Sequence, residues 1–472
     1  MIFNKVIAVG RVESVDSKIA TSFILNEIAK VGAPRRDSFH FDQVNNTISI
    51  DVANLVSIRN KAVIDFLSNQ LTSPNLDERR IAAYTIVTEV IERKYVDLRL
   101  KAFKALLPLI PFPTFDTSNS YGQLDMHTHT LESDGYVTPT GLIREAFEEG
   151  LFGIAITNHN IFPDDPKVNE AYRAAQILNE FIKSRSTDKS DFKRFELIAG
   201  IELDNEHNGT TVHTLLYIPQ YFERYSELMK NPVMRDAMKK LQRLDDERVE
   251  SSKKLLAAIS QKYPQIAMTW ETFLTKVRCD QISRATVPDV LYETFPQFFE
   301  KEGITEPRNV WKNWLPKDMR PTLEYKNRLS LDDVAKLIAA TGAKFAMAHP
   351  EEVFAMEKKD KKSGTIETYF SYLIEKIEKK EILEDSILGI AFYSAKLQNP
   401  LERNTIRNMF WALRQKHLFL RKVREDGRRN DMHLLTESDS HGKMLTGYVG
   451  GRTDGPVNLT VYREDLYAAL GI

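Results

Sequence analysis

Leu124-Asp125-Met126-His127-Thr128-His129 decides how this chain is read. A short apolar run ends on a His-x-His pair, and the same device returns along the sequence. Gly153-Ile154-Ala155-Ile156-Thr157 precedes Asn158-His159, and Leu197-Ile198-Ala199-Gly200-Ile201 precedes Glu202. Phe345-Ala346-Met347-Ala348 leads into His349, and His433-Leu434-Leu435-Thr436 leads towards Asp439 and His441. Apolar runs of this length bounded by turn or helix-start signals read as buried strands, with the polar residues gathered at their C-terminal ends. His213 lies inside the run Val212 to Ile218, which follows Glu202 too closely for a helix to intervene. Residues 204–210, with Asn208-Gly209, therefore read as a tight hairpin turn. The run Ile387 to Tyr393 is strand-like and carries no ligand-type residue. Seven such runs alternating largely with helical stretches predict an α/β fold, a (β/α) barrel with one irregular antiparallel step and a site at its C-terminal mouth.

The residues at these ends form one ordered series: His127, His129, Asp134, His159, Glu202, His213, His349, Asp439 and His441. Imidazole nitrogens and carboxylates are ligands for divalent Zn, Mn or Fe, and a set this large serves two or three ions when one carboxylate bridges. Such a centre points to hydrolysis, of a phosphate ester first. A lone histidine near a strand end is more often a hydrogen-bonded structural residue, so His40, His207, His417 and His433 take that reading. Asp125, Glu132, Asp204, Glu351 and Glu437 read as turn, capping or supporting acids.

The series resembles the PHP superfamily, the polymerase and histidinol phosphatase domain, across roughly residues 121–220 and 340–445. The motifs that carry the resemblance are HxH, Asp, a His after an apolar strand, GIE, a His in the next strand, AHP and SDSHG. It implies a distorted seven-stranded (β/α) barrel with a trinuclear metal site. His127, His129, Glu202 and Asp439 would surround one ion, and Glu202 would bridge to a second held by His213 and His349. Asp134, His159 and His441 would hold the third. An Asp at position 134 looks like the branch with small-molecule phosphoesterases and RNA or nucleotide phosphatases. Asn158 departs from the Asp common in the family, which removes a supporting carboxylate beside His159 and weakens the third position. The insertion from about 221 to 342 corresponds to a helical cap that supplies phosphate-binding cations. Within it, Ile282-Ser283-Arg284 resembles the family's Arg-Pro-His element with Ala285-Thr286 replacing Pro-His, which makes Arg284 the candidate phosphate ligand. The expected reaction uses a bridging hydroxide shared by the two ions on Glu202, with His159 or His441 as candidates to protonate the leaving alkoxide where one metal position is partly empty.

Composition bounds this reading. The chain has 472 residues, 42% hydrophobic, enough for a large core and more than one domain. One cysteine, Cys279, excludes an internal disulfide framework and fits a reducing compartment. The N-terminus lacks a basic segment leading into an apolar signal core, and no apolar stretch approaches membrane-spanning length, so a cytoplasmic protein without membrane contact is expected. A net charge of −1 argues against a general polyanion-binding surface. Residues 1–112 read as a small α/β or mainly helical accessory domain, a candidate for self-association or a protein partner. It has strand-like runs at Val6 to Val9 and Thr47 to Val52, a helix around Thr21 to Lys30 and an Asn45-Asn46 turn. Helical spacing of Ile81, Tyr84, Val87, Ile91 and of Val96, Leu100, Phe103, Leu107 follows, and Pro111-Phe112-Pro113 ends it. Residues 121–472 are then the hydrolase. The charge run from Arg235 to Lys254 reads as a solvated helix face. The basic clusters Lys358 to Lys362 and Arg421 to Arg429 read mostly as solvated, and Gly450-Gly451-Arg452 as a turn.

The favoured substrate is a nucleotide, a short oligonucleotide end or another small phosphorylated metabolite. A nuclease for longer DNA or RNA, a non-phosphate metallohydrolase, and a regulatory module of a larger assembly are the alternatives.

Overall fold

The computed structural model describes residues 39–42, 47–50, 96–107, 124–135, 137–148, 150–185, 194–207, 210–277, 279–305, 309–319, 325–350, 352–353, 364–394, 400–416, 433–437 and 439. Contacts divide the chain into two units. The first is Met1–Thr117 with Thr138–Gly153 and Pro166–Leu197; the second is Ser118–Val137 with Ile154–Asp165 and Ile198–Ile472.

In the first unit β1 (Phe39–Asp42) pairs antiparallel with β2 (Thr47–Ile50), Phe39 opposite Ile50. The Asn45-Asn46 turn between them, the expected elements at Val6 to Val9, Thr21 to Lys30 and Ile81 to Ile91, and the Pro111-Phe112-Pro113 linker lie outside the described residues. Helix α1 (Val96–Leu106) buries Leu100, Phe103 and Leu106, the three-to-four spacing that places side chains on one helix face. Helices α2 (Pro139–Glu148) and α3 (Glu170–Arg185) complete the described part. The buried Glu170 carboxylate ties the three together: it pairs with the Arg99 guanidinium and accepts from Thr140 N at 3.1 Å and Thr140 Oγ1 at 2.6 Å.

The second unit is built on a curled mixed sheet. Its strands are β3 (Leu124–Thr128), β4 (Gly153–Ile156), β5 (Glu196–His207), β6 (Thr210–Tyr217), β7 (Lys344–Met347), β8 (Ile387–Ser394) and β9 (His433–Glu437), hydrogen-bonded in that order. Leu124 and Met126 of β3, Ala155 of β4, Ile198 of β5, Leu215 and Tyr217 of β6, Ala346 of β7, Leu388 of β8 and Leu435 of β9 share one buried cluster. A flat sheet cannot bring its first and last strands to the same cluster, so the sheet bends around it as a half-barrel. Asp439 N donates to His127 O at 3.0 Å, joining the segment after β9 to β3.

Strand β6 runs against both neighbours, so there are two antiparallel pairings where the sequence suggested one irregular step. β7, β8 and β9 pair in parallel. The β5–β6 register continues from Gly200 opposite Tyr217 to His207 opposite Thr210, which corrects the expected turn over 204–210. Asp204 to His207 are strand: their polarity resembles a turn, but each meets a partner on β6, and only 208–209 separate the strands. Glu202 consequently sits inside β5 and not at its end.

Between β6 and β7 the described residues include the α-helices α4 (Tyr221–Leu228), α5 (Pro232–Lys262), α6 (Trp270–Lys276), α7 (Thr286–Thr294), α8 (Pro296–Lys301) and α9 (Leu331–Thr341). Helix α5 starts at Asn231, whose side chain accepts from Val233 N and Met234 N, with Pro232 in the first turn where its missing N–H costs nothing. α9 opens with a reciprocal Ser330–Asp333 capping box and closes on Gly342 at φ 71°. These helices have their own core, including Leu255, Phe273, Leu291, Phe299 and Val310. Helix α10 (Thr365–Glu378) follows β7, and α11 (Pro400–Lys416) follows β8. Among the described residues no helix is long and apolar enough to cross a membrane.

Candidate metal centre

His127 and His129 stand two apart at the end of β3, and alternation along a strand sends both to one face. Thr128 between them turns the other way, its Oγ1 donating to Ala155 O at 2.8 Å. The loop that follows is wound tightly. Thr130 O accepts from both Ser133 N and Gly135 N at 3.0 Å, and a Cβ at Gly135 would lie 2.8 Å from the His129 carbonyl. Only glycine allows the loop to close and present Asp134. Asn158 fastens the same loop: its Oδ1 accepts from Thr130 N at 2.9 Å and Ser133 Oγ at 3.1 Å, while its Nδ2 donates to Glu132 at 2.9 Å. A carboxylate at 158 would face Glu132 with like charge, which accounts for the amide. Asp125 is wholly buried and accepts from His127 N at 3.2 Å, a supporting role of the expected kind.

Glu202 is the hub. Its Oε2 lies 3.1 Å from His127 Nε2, 3.2 Å from His129 Nε2 and 3.1 Å from His159 Nδ1. Its Oε1 lies 2.6 Å from His213 Nδ1 and 3.0 Å from His349 Nε2. Asp439 Oδ1 stands 3.3 Å from His129 Nε2 and 3.6 Å from His127 Nε2, and its Oδ2 3.7 Å from His349 Nδ1. Asp134 reaches the rim, 3.7 Å from His129 Nδ1 and 3.7 Å from His159 Nε2. The structure thus brings together eight of the nine residues of the series; His441 lies outside the described residues. Asn160, His349 and Asp439 hold left-handed backbone at φ 55°, 42° and 50°, strain of the kind that persists where the surroundings fix a functional side chain.

The donor atoms converge in three groups: His127, Glu202, His349 and Asp439; His129, His159 and Glu202; and His159, Asp204 and His213, each within 4.8 Å. The resemblance divides them otherwise, with His127 and His129 on one ion and His213 and His349 on another. Asp204, read from sequence as a supporting acid, stands among the donors. Its alternation with Glu202 on β5, two residues on, was the available signal.

These residues fit divalent ions. Bonds of about 2.1 Å in a tetrahedron place ligand atoms about 3.4 Å apart, the range of the nitrogen–carboxylate separations here. Without ions, the charges compensate one another. Against burial, which alone would lower it, Glu202, Asp134 and Asp204 raise the His159 pKa. Burial likewise opposes the rise of His213, which Glu202 and Asp204 nevertheless push up to about 9. Burial would raise Glu202, but His159, His127 and His213 hold it well below the usual carboxylate range.

Beside Asp204 lies a cationic group from the α4–α9 insertion. Arg248 of α5 is buried and paired with Asp204 Oδ2, and its guanidinium stands 5.9 Å from the Tyr325 ring centre. Arg328 stands 5.1 Å from the same ring and donates to Thr211 Oγ1 at 3.3 Å. Arg284 stacks on Trp311 at 5.2 Å, and burial, then its neighbours Arg328 and Arg248, depress its pKa. Arg248 corrects the expectation that the Arg235 to Lys254 run is solvated. It lies four residues after Leu244 and seven before Leu255, on the buried stripe of α5, and a charge on such a stripe needs a buried partner. Gln281 Nε2 donates to His159 O at 3.0 Å, a second link between insertion and centre. His207 donates to or accepts from Thr368 Oγ1 at 2.9 Å. His417 and the basic clusters at 358–362 and 421–429 lie outside the described residues, as do Glu351 and Gly450 to Arg452.

The family model of the PHP domain matches residues 125–301. The match spans His127 to His213 and the insertion through Arg284. A solved structure from Bifidobacterium adolescentis, provisionally described as a metal-dependent phosphoesterase, is similar at 17% identity and TM-score 0.47, covering 74% of this chain and 95% of that one. An amidohydrolase from Chromobacterium violaceum, solved with sulfate and no metal, is similar at 18% identity and TM-score 0.46, covering 74% and 96%. No curated protein matches the sequence. The matched stretch holds His127, His129, His159, Glu202, Asp204 and His213 of this donor set, which supports a metal-dependent hydrolase.

Proposed function

We propose that this protein is a phosphoesterase that hydrolyses a phosphomonoester or phosphodiester of a nucleotide, a short oligonucleotide end or another small phosphorylated metabolite. The observation that carries the reading is the position of Arg248, Arg284 and Arg328 around Tyr325, directly beside Asp204 and the imidazole–carboxylate cluster. Arg248 is paired with Asp204, and Arg284 and Arg328 beside it can give charge-assisted bonds to phosphate oxygens, which an uncharged amide or lactone does not need. Two or three divalent ions, Zn, Mn or Fe, held by His127, His129, Asp134, His159, Glu202, His213, His349, Asp439 and His441, would supply an activated water and neutralise phosphate charge.

The chain's own groups do the rest. Glu202 offers one oxygen to each half of the cluster and keeps both halves in register. Arg284 holds a phosphate oxygen and, being stacked on Trp311, presents its guanidinium plane in a fixed orientation. His159, partly exposed and facing Asp134 through Nε2, would return a proton to the leaving oxygen where one metal position is partly empty. We also propose that residues 121–472 form the cytoplasmic hydrolase, with 221–342 its cap and 1–112 an accessory domain for self-association or a protein partner.

The test is a substrate panel run on metal-loaded protein: nucleotides, short single strands, phosphorylated metabolites, long duplex DNA, and amide and lactone esters. Turnover confined to small phosphoesters is expected. Cleavage of amides or lactones alone would overturn the proposal, and efficient cutting of long duplex would recast the protein as a nuclease.

A further inference from the structure

We propose that Asp204 is a donor of the metal centre, forming with His159 and His213 a cation position that the order of histidines along the sequence does not reveal. The inference rests on reading the cluster as a metal centre. On β5, Asp204 follows Glu202 by two residues and so shares its face, and in the hairpin it stands opposite His213. Its Oδ1 lies 3.4 Å from His159 Nδ1 and 3.7 Å from His213 Nε2. Those separations are close to the about 3.4 Å edge of a tetrahedron with 2.1 Å bonds, and long for hydrogen bonds.

Asp204 is only 9% exposed, and among the described residues its Oδ1 accepts no hydrogen bond. A buried charged oxygen aimed between two imidazoles is stabilised by positive charge held there, as protons on the rings or as a metal ion in their place. The other oxygen is not available for that purpose, because Arg248 holds Oδ2. The guanidinium fixes the carboxylate's rotation, keeps it ionised and leaves Oδ1 pointed at the two histidines. One residue of α5 therefore orients a donor on β5, and the position is shaped by both. His159 also faces Asp134 and Glu202, and His213 faces Glu202, so an ion at Asp204 would draw on side chains that serve neighbouring positions too.

Full-length protein stripped with chelator and titrated with Mn²⁺ or Zn²⁺ alone tests this without reference to any substrate. Equivalents retained after gel filtration are read by elemental mass spectrometry, and affinities by calorimetry. Asp204→Asn should lose one equivalent, or bind it about 10–100-fold more weakly, while the remaining equivalents stay as in wild type. Because that variant leaves Arg248 buried without its partner, the double variant Asp204→Asn with Arg248→Met is measured beside it, and circular dichroism identifies the folded one. Cobalt-loaded protein gives a second readout: losing a carboxylate donor shifts the visible absorption of the bound ions, which a packing role would not do. Wild-type stoichiometry, affinity and cobalt spectrum in a folded variant would overturn the proposal. A wild-type protein that binds no metal would overturn the metal-centre reading and this inference with it, a result distinct from failure at Asp204 alone.

Discussion

Five imidazole nitrogens lie within 3.2 Å of the two Glu202 oxygens, so the charge of one side chain organises the whole cluster. Glu202→Gln keeps the shape and removes the charge. His159 and His213 then lose the attraction that raises their pKa, and the cluster can relax to neutral imidazoles. The fold is expected to persist by circular dichroism, metal content to fall, and turnover of the proposed phosphoester substrate to drop by about two orders of magnitude or more. Near-normal turnover would show that the reaction does not depend on this carboxylate. A second consequence concerns pH. His213 keeps its proton up to about pH 9 in stripped protein, and a cation must displace that proton to bind. Metal affinity should therefore strengthen as pH rises towards 9, by about tenfold per unit for one displaced proton. Calorimetry in buffers of different ionisation enthalpy measures the release, and a flat profile would place His213 outside the binding event. The eight ligand-type residues that the structure brings together were legible in sequence because most of them fall on or beside apolar runs. Asp204 and Arg248 were not: their meaning arises from a pairing across 44 positions, and each alone looks like a solvated charge.

The strands were legible as apolar runs, because burial on both faces of a curled sheet leaves little room for polar residues. The length of β5 was not. Asp204, Asn205, Glu206 and His207 have turn-like composition, yet hairpin pairing with β6 continues through all four. Asn205 shows why polarity is tolerated there: its amide donates to Leu329 O at 2.7 Å, joining the strand to the segment before α9. Helix α5 shows the converse, with Met234, Ala237, Leu241 and Leu244 marking a buried stripe that a charge-rich sequence conceals. If the α4–α9 insertion serves substrate binding and the sheet serves metal binding, damage to one should spare the other. Phe299 is wholly buried and packs its ring 5.2 Å from Trp314 in the insertion's own core. Phe299→Ala should cost the insertion about 3–5 kcal/mol and speed amide exchange in α5 to α8. Its metal content should match wild type while KM for small phosphoesters rises. Loss of metal together with activity would mean that the two elements do not act separately.

At the scale of the whole molecule the relevant quantities are charge and the number of phosphates that can be engaged. The chain carries a formal charge of −1, so its net charge does not attract a polyanion, and among the described residues the cations beside the centre include the local group Arg248, Arg284 and Arg328. Arg248 is already paired with Asp204, which leaves charge for about two phosphate contacts. Counterion release then sets the salt response. Two contacts predict a fall in kcat/KM of about tenfold between 50 and 200 mM salt, whereas six to ten contacts on a duplex would predict about 10³–10⁵. Measuring kcat/KM for a nucleotide and for a short single strand across that range separates the cases. A shallow slope for both is the expected result. A steep slope confined to the strand would point to additional phosphate contacts, and the Arg421 to Arg429 cluster, which lies outside the described residues, would be the first place to substitute. If neutralising that cluster flattened the slope without changing nucleotide turnover, the substrate would extend along the chain before Asp439, and the small-molecule reading would give way to one of strand-end processing.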